Sequence, residues 1–366
     1  MPAIEDDGPV PVADPDSVTE EVLDDAKATR SLLRGLISLA VLVTLVVGLL
    51  IAVPGLDGVA QQVTDMQGGW IAVAVGLEVL SCLGYVLAFL QVFERAPVRF
   101  GARVALSELA FGAAVSMGGA GSIAVGAWLL IDRGAPRRRV VERSAVLFLL
   151  TSAVNVITLV LAGLALFTGI LPGPSNPLLS LLPACVGLAA FALFLALPRL
   201  AEPVAASRAP GRIKALLETA VESIRDTRDF LLKPDWRIIG AFAFLWCDIG
   251  VLVACFAALG HVPSLAAIVL AYQIGYLSNL IPVPGNIGVL DGSIVGMLVL
   301  YGVDATSATA ATVVYHAIAL WIPAMWGTLA FIILRRTRGK QLTPRPTFAE
   351  RREAKAARRA GRGGAG

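Results

Sequence analysis

Five ionisable side chains stand in otherwise apolar stretches: Glu78, Glu108, Asp248, Asp291 and His316. A charge-bearing group in hydrocarbon is costly, so its retention points to proton transfer, ion binding or recognition of a polar headgroup. Asp291 is the most informative because of its neighbours. It follows the break Ile281-Pro282-Val283-Pro284-Gly285-Asn286 between two apolar stretches, within residues 264–301. Two prolines so close cannot both sit inside a regular helix, Gly285 permits a tight reversal, and Asn286 has the chemistry of an N-cap. Beyond the break, Gly288, Gly292 and Gly296 recur every four residues, a face that lets another helix approach closely in lipid. A broken apolar helix with a carboxylate beside the break is the pattern of a membrane transport site.

The other candidates leave two readings open. Glu78 and Asp248 could act at mid-membrane or lie near span ends and snorkel. Glu108 falls near the expected mouth of a first hairpin. His316 could carry a proton, bind a ligand or simply pack. Tyr272, Tyr276 and Asn279 follow helical spacing toward the break and could line a cavity or pack.

These residues sit in a polytopic membrane protein. The chain is 57% hydrophobic and 16% charged, with a mean hydropathy of +0.77. Several apolar runs are long enough to cross roughly 30 Å of hydrocarbon, and none alternates with period two as barrel strands do. The expected class is therefore all-α. Cys82, Cys185, Cys247 and Cys255 all fall in apolar segments, which argues against a disulfide framework or zinc site. With only His261 and His316, a histidine-rich metal centre is excluded. No cofactor is expected. Gly119-Ala-Gly121-Ser-Ile-Ala124 formally fits a dinucleotide fingerprint, but no strand precedes it; Walker A, Gly-x-Ser-x-Gly and metal-ligand spacings are missing from the sequence.

In chain order, residues 1–33 are Pro- and acid-rich and read as a disordered tail. Full spans are expected at about 36–53, 70–93, 144–169, 177–197, 238–260 and 306–334. The first apolar run reads as a retained anchor rather than a cleaved signal. Residues 54–69 read as a loop. Residues 104–131 are apolar but interrupted at Met117-Gly118-Gly119-Ala120-Gly121-Ser122, and each piece is too short to span. Residues 198–235 carry an amphipathic helical pattern. Residues 339–366 form a basic tail.

Positive charge sets the topology. All 30 Lys and Arg lie in five segments: 3 in the N-terminal tail, 3 in 94–103, 5 in 132–143, 8 in 198–237 and 11 in the C-terminal tail. The positive-inside rule makes both termini cytoplasmic, with six full spans and two re-entrant hairpins, at 104–131 and 264–301. The second could instead be two short spans. Repeat A (about 34–170) and repeat B (about 177–336) then share one order of elements in opposite orientation. Gly121-Ser122-Ile123 matches Gly285-Asn286-Ile287 at the two tips. Inverted repeats with broken helices place binding sites near the midplane. The helix N-termini at the tips could hold an anionic group such as phosphate without any buried Lys or Arg.

The stretch from Ser278 to Gly292, with Pro282-Val-Pro-Gly285-Asn-Ile-Gly288, and Gly118-Gly-Ala-Gly-Ser-Ile-Ala-Val-Gly-Ala-Trp128 resemble the lysylphosphatidylglycerol synthase transmembrane-region family, over roughly residues 35–338. The resemblance implies a flippase-like protein of a bacterial or archaeal cytoplasmic membrane that handles lipids or lipid-linked molecules. Many members carry Glu where this chain has Asp291. Some place Glu and Arg after the first Gly-rich break, where this chain reads Ser-Ile-Ala-Val-Gly. The soluble aminoacyl-transfer domain of the synthases is not expected here, since 28 residues follow Arg338.

The expectation is a non-enzymatic membrane protein of residues 34–338 that binds or moves phospholipids or lipid-linked molecules. Its candidate site residues are Asp291, Asn286, Gly285, Ser122, Gly121, Asp248, Glu78, Glu108 and His316. The alternative is a non-transporting accessory protein for an envelope lipid or glycan enzyme. Nucleic acid is not an expected partner, and the sequence sets no oligomeric state.

Overall fold

A computed structural model describes residues 57–114, 120–174, 176–205, 238–276 and 289–337, with scattered positions at 30–37 and 221–225. The first expected span, both hairpin tips, both tails and most of the amphipathic stretch lie outside the described residues. The described residues are helical, with no strand among them. Ten helices follow in order: α1 Asp57–Thr64, α2 Gly68–Val92, α3 Val98–Ala114, α4 Ala120–Ile131, α5 Arg137–Phe167, α6 Pro177–Ala205, α7 Ile239–Ala258, α8 Leu265–Tyr276, α9 Val289–Leu300 and α10 Ala305–Arg336.

Among the described residues four helices, α2, α5, α7 and α10, are long and apolar enough to cross a membrane. Their outward faces are hydrocarbon: Leu80 and Leu83 on α2, Phe148 and Leu161 on α5, Met325 and Leu329 on α10 are all exposed. An apolar exterior on helices of this length suits lipid, not water. Within α7, 56% of the apolar window is buried, against 39% in each of the other three, so α7 is the central helix.

Helix ends follow local chemistry. α10 starts at Asp304, whose carboxylate accepts from the Ser307 backbone N–H at 3.0 Å and the Ser307 hydroxyl at 3.2 Å. α4 and α9 end alike. Gly134 (φ 85°) and Gly302 (φ 87°) take the left-handed conformation. The next N–H groups, of Ala135 and Val303, reach back to Leu130 and Leu298 carbonyls at 3.1 and 3.0 Å.

Several boundaries differ from the sequence expectation. Residues 54–69 contain α1 rather than only a loop. α5 begins at Arg137, seven residues before the expected apolar start, because arginine is a good helix former and the turn ends at Pro136. α6 continues past Pro198 and Pro203 to Ala205, since the remaining backbone bonds can hold a helix where single donors are missing.

The packing is ordered around α2 and α7. The Gln67 N–H at the start of α2 donates to Ala258 O at the end of α7 (2.9 Å), so the two run antiparallel. α3 packs on α10, α8 on α5, α4 on α5, and α9 on α10; α3 folds back on α4, and α8 on α9.

Of the expected glycine face, Gly288 lies outside the described residues, and Gly292 and Gly296 pack against no described neighbour. A Cβ at Gly292 or Gly296 would meet nothing within 4 Å. Close approach occurs elsewhere. A Cβ at Gly275 on α8 would strike Ile294 of α9, and one at Gly327 on α10 would strike the Leu106 carbonyl of α3. Four-residue spacing gives a smooth helix face; what faces it depends on the neighbours.

Candidate functional site

The site begins at the crossing of α2 and α7. A Cβ on Gly84 would lie 2.5 Å from Phe244 N, and one on Gly240 would lie 2.7 Å from Ala88 N. The backbones therefore touch, as small residues allow in lipid. The Ser81 hydroxyl adds a bond to Phe244 O at 2.8 Å. This crossing fixes what stands beside it on the same seam, Glu78 and Asp248.

Both carboxyls are buried, Glu78 at 5% exposure and Asp248 at 7%. Both stand near the middles of their helices, which removes the alternative of snorkelling to a span end. They stand close enough for their charges to act directly on each other. Two carboxylates only accept, so neither can serve the other as a donor. Glu78 Oε2 is a buried oxygen with no hydrogen-bond donor, while Oε1 takes the weak Cys82 thiol at 3.7 Å.

Three phenols converge on the other carboxyl. Tyr272 donates to Asp248 Oδ2, as do Tyr315 at 3.2 Å and, weakly, Tyr276 at 3.5 Å. The rings of Tyr272 and Tyr276 stack at 4.6 Å, and Tyr315 stands edge-on to Tyr272 at 6.2 Å. The tyrosines come from α8 and α10, so one carboxyl ties three helices together. His316, the next residue on α10, is also buried.

A second buried carboxyl lies on α3. Glu108, expected near a hairpin mouth, is instead enclosed, about 15 Å along α3 from its start. Tyr85 of α2 donates to its Oε2 at 2.7 Å. Its carboxyl fills the space where a Cβ on Gly126 of α4 would go. Tyr85 also contacts Phe244 of α7, ring centroids 5.1 Å apart. Glu108 is thus clamped between α2 and α4.

Of the residues expected from sequence, Glu78 and Asp248 come together, and His316 is buried on α10. Glu108 forms its own pair. Ser122 sits at the inner face of α3 and α4, where a Cβ on Gly112 would meet it at 3.6 Å. Gly285 and Asn286, and the surroundings of Gly121 and of the Asp291 side chain, lie outside the described residues. Tyr315 and Tyr85 were not singled out by sequence. The available signals were weak: Tyr315 adjoins His316, and Tyr85 is two turns from Glu78 on one helix face.

Chemically, the central cluster offers two acids, three hydroxyls and aromatic faces. No Lys or Arg occurs in α2 or α7, the helices carrying the acids, or in α8. Such a site can take a proton or a cationic group, by charge and through the ring faces. Among the described residues no group of three or more His, Cys, Asp and Glu has the arrangement to hold a metal ion.

The chain is similar to known membrane proteins. A UPF0104 membrane protein of Methanothermobacter thermautotrophicus is 34% identical over 110 residues, which cover 29% of this chain and 30% of that relative. The match thus spans under a third of the relative's length. The family model for the lysylphosphatidylglycerol synthase TM region matches residues 34–327, most of the chain. The chain is a multi-pass membrane protein and belongs to the lysylphosphatidylglycerol synthase transmembrane-region family.

Proposed function

We propose that the protein binds phospholipids or lipid-linked molecules and moves them across the cytoplasmic membrane, without covalent chemistry. The observation that carries this is the Glu78–Asp248 pair: two buried acids on facing antiparallel helices, ringed by tyrosines. Burying unpaired charge is expensive, so the pair must hold a proton or receive a cation from outside the chain. A transporter uses such a group either to grip an amine-bearing headgroup or to couple movement to protons.

An inverted repeat, with six spans, two re-entrant hairpins and both termini cytoplasmic, is part of this reading. The packing supports it. Exchanging α2 with α7, α3 with α8, α4 with α9 and α5 with α10 turns α3–α10 packing into α8–α5 packing, and α4–α5 into α9–α10. The acid–phenol bonds also recur: Tyr85 to Glu108 in one half, Tyr272 to Asp248 in the other, with acid and phenol exchanged between the long helix and the hairpin. Asp291 is in the first described turn of α9 and is assigned to the same pathway.

The test is movement of labelled phospholipids, one of them aminoacylated, in proteoliposomes. Wild type is compared with Asp248→Asn, Glu78→Gln and Asp291→Asn. Movement that drops in the first two variants supports the reading. Unchanged movement and binding after neutralising Asp248 would sink it. No movement of any lipid by folded wild type would favour the accessory role.

A further inference from the structure

The basic end of the molecule holds a cavity that the acid–phenol cluster does not use. It lies between the turn after α2, the start of α3, the turn after α4 and the first turns of α5, with a volume of about 720 Å³. Four arginines line it, Arg95, Arg133, Arg139 and Arg143, against a single carboxylate, Glu94. Phe93, Phe100, Leu130 and Val140 supply apolar walls.

The wall is preset in part. Arg133 donates from Nη2 to Leu334 O of α10 at 3.1 Å and lies over the Phe100 ring, 5.3 Å from its centroid. Asp132 Oδ2 is 3.9 Å from its Nε. Arg133 therefore holds its position without an occupant, and a planar guanidinium suits phosphate oxygens. α5 also begins here. Its N-cap, Pro136, makes no side-chain cap bond, so the positive end of the helix faces the same region.

The surroundings favour a lipid over a soluble anion. Val141 and Phe148, two turns apart on α5, are each 53% exposed, and Val98 at the start of α3 is 48% exposed. Acyl chains would lie along these faces while the headgroup entered the arginine-lined space. Basic cavities between membrane helices are suited to this use.

We propose that this cavity binds the phosphodiester headgroup of an anionic membrane lipid from the leaflet at the basic end. The assignment concerns binding alone and stands apart from whether the protein moves lipid.

The test uses the full chain in phosphatidylcholine nanodiscs and a short-chain fluorescent phosphatidylglycerol. Arg95→Gln with Arg139→Gln should weaken binding about fivefold per arginine, on the order of thirtyfold together. Phosphatidylcholine binding should stay unchanged. Arg335→Gln with Arg336→Gln, on α10 outside the cavity, should change affinity by no more than about twofold; an equal loss there would mean surface electrostatics and overturn the site. Unlabelled inorganic phosphate or glycerophosphoglycerol should fail to displace the lipid at millimolar levels. Displacement at lipid-like concentrations would overturn the lipid assignment in favour of free phosphate. A diazirine phosphatidylglycerol on wild type provides a check that needs no variant. It should label peptides covering 93–100 and 130–143, and labelling confined to other segments refutes the proposal.

Discussion

Replacing Asp248 with Ala and with Asn separates its role in the fold from its role in function. In the wild type, Oδ2 accepts from Tyr272 and Tyr315, and Glu78 lies alongside. Alanine leaves two buried hydroxyls without an acceptor, removes the partner of Glu78 and opens a small void. Interhelical hydrogen bonds in membranes are worth on the order of 0.6–1.7 kcal/mol each, and the void adds to that. The expected loss is about 2–4 kcal/mol, a large share of a typical stability of roughly 5–15 kcal/mol. Asparagine keeps the accepting oxygen and offers an N–H to Glu78, so its cost should stay below about 1 kcal/mol. Reversible unfolding in mixed micelles with increasing SDS reads the difference. In proteoliposomes, Asp248→Asn should be folded yet impaired in lipid movement. Equal stability of the two variants would refute the idea that the phenols hang on this carboxyl.

Further expectations follow from single contacts. Gly126→Ala should displace the Glu108 carboxyl and break its bond to Tyr85, at about 1–3 kcal/mol. Shortening the acid with Glu108→Asp should recover part of that loss, which a double-mutant cycle measures. Gly240→Ala should cost more than Gly126→Ala by the same unfolding assay, because its new methyl meets Ala88 backbone rather than a side-chain end. The Ser307 N–H bond holds the Asp304 carboxylate below the usual carboxylate range. The cap is therefore present at neutral pH and lost as pH falls through that lowered value. Hydrogen exchange at 305–308 should show protection that fades in acid, and Asp304→Ala should lack it at every pH.

Composition alone gave the helical membrane class and the spans near 70–93, 238–260 and 306–334. The reason is physical: hydrocarbon demands long apolar helices. Both interruptions fall largely outside the described residues. The sequence also marked Glu78, Glu108, Asp248 and His316, since any ionisable residue in such a segment stands out. It did not say which of them meet. Glu78 and Asp248 lie on helices far apart in the chain and are joined only because Gly84 and Gly240 let two backbones touch. The convergence of Tyr272, Tyr276 and Tyr315 on one oxygen was likewise invisible, because a tyrosine in an apolar helix reads as packing until its hydroxyl finds an acceptor. The glycines of α9 show the converse: regular spacing offered a contact face, yet Gly292 and Gly296 pack against no described neighbour. Residue type determined what chemistry was available to this protein; which groups meet was decided by helix crossings, and these depend on neighbours distant in sequence.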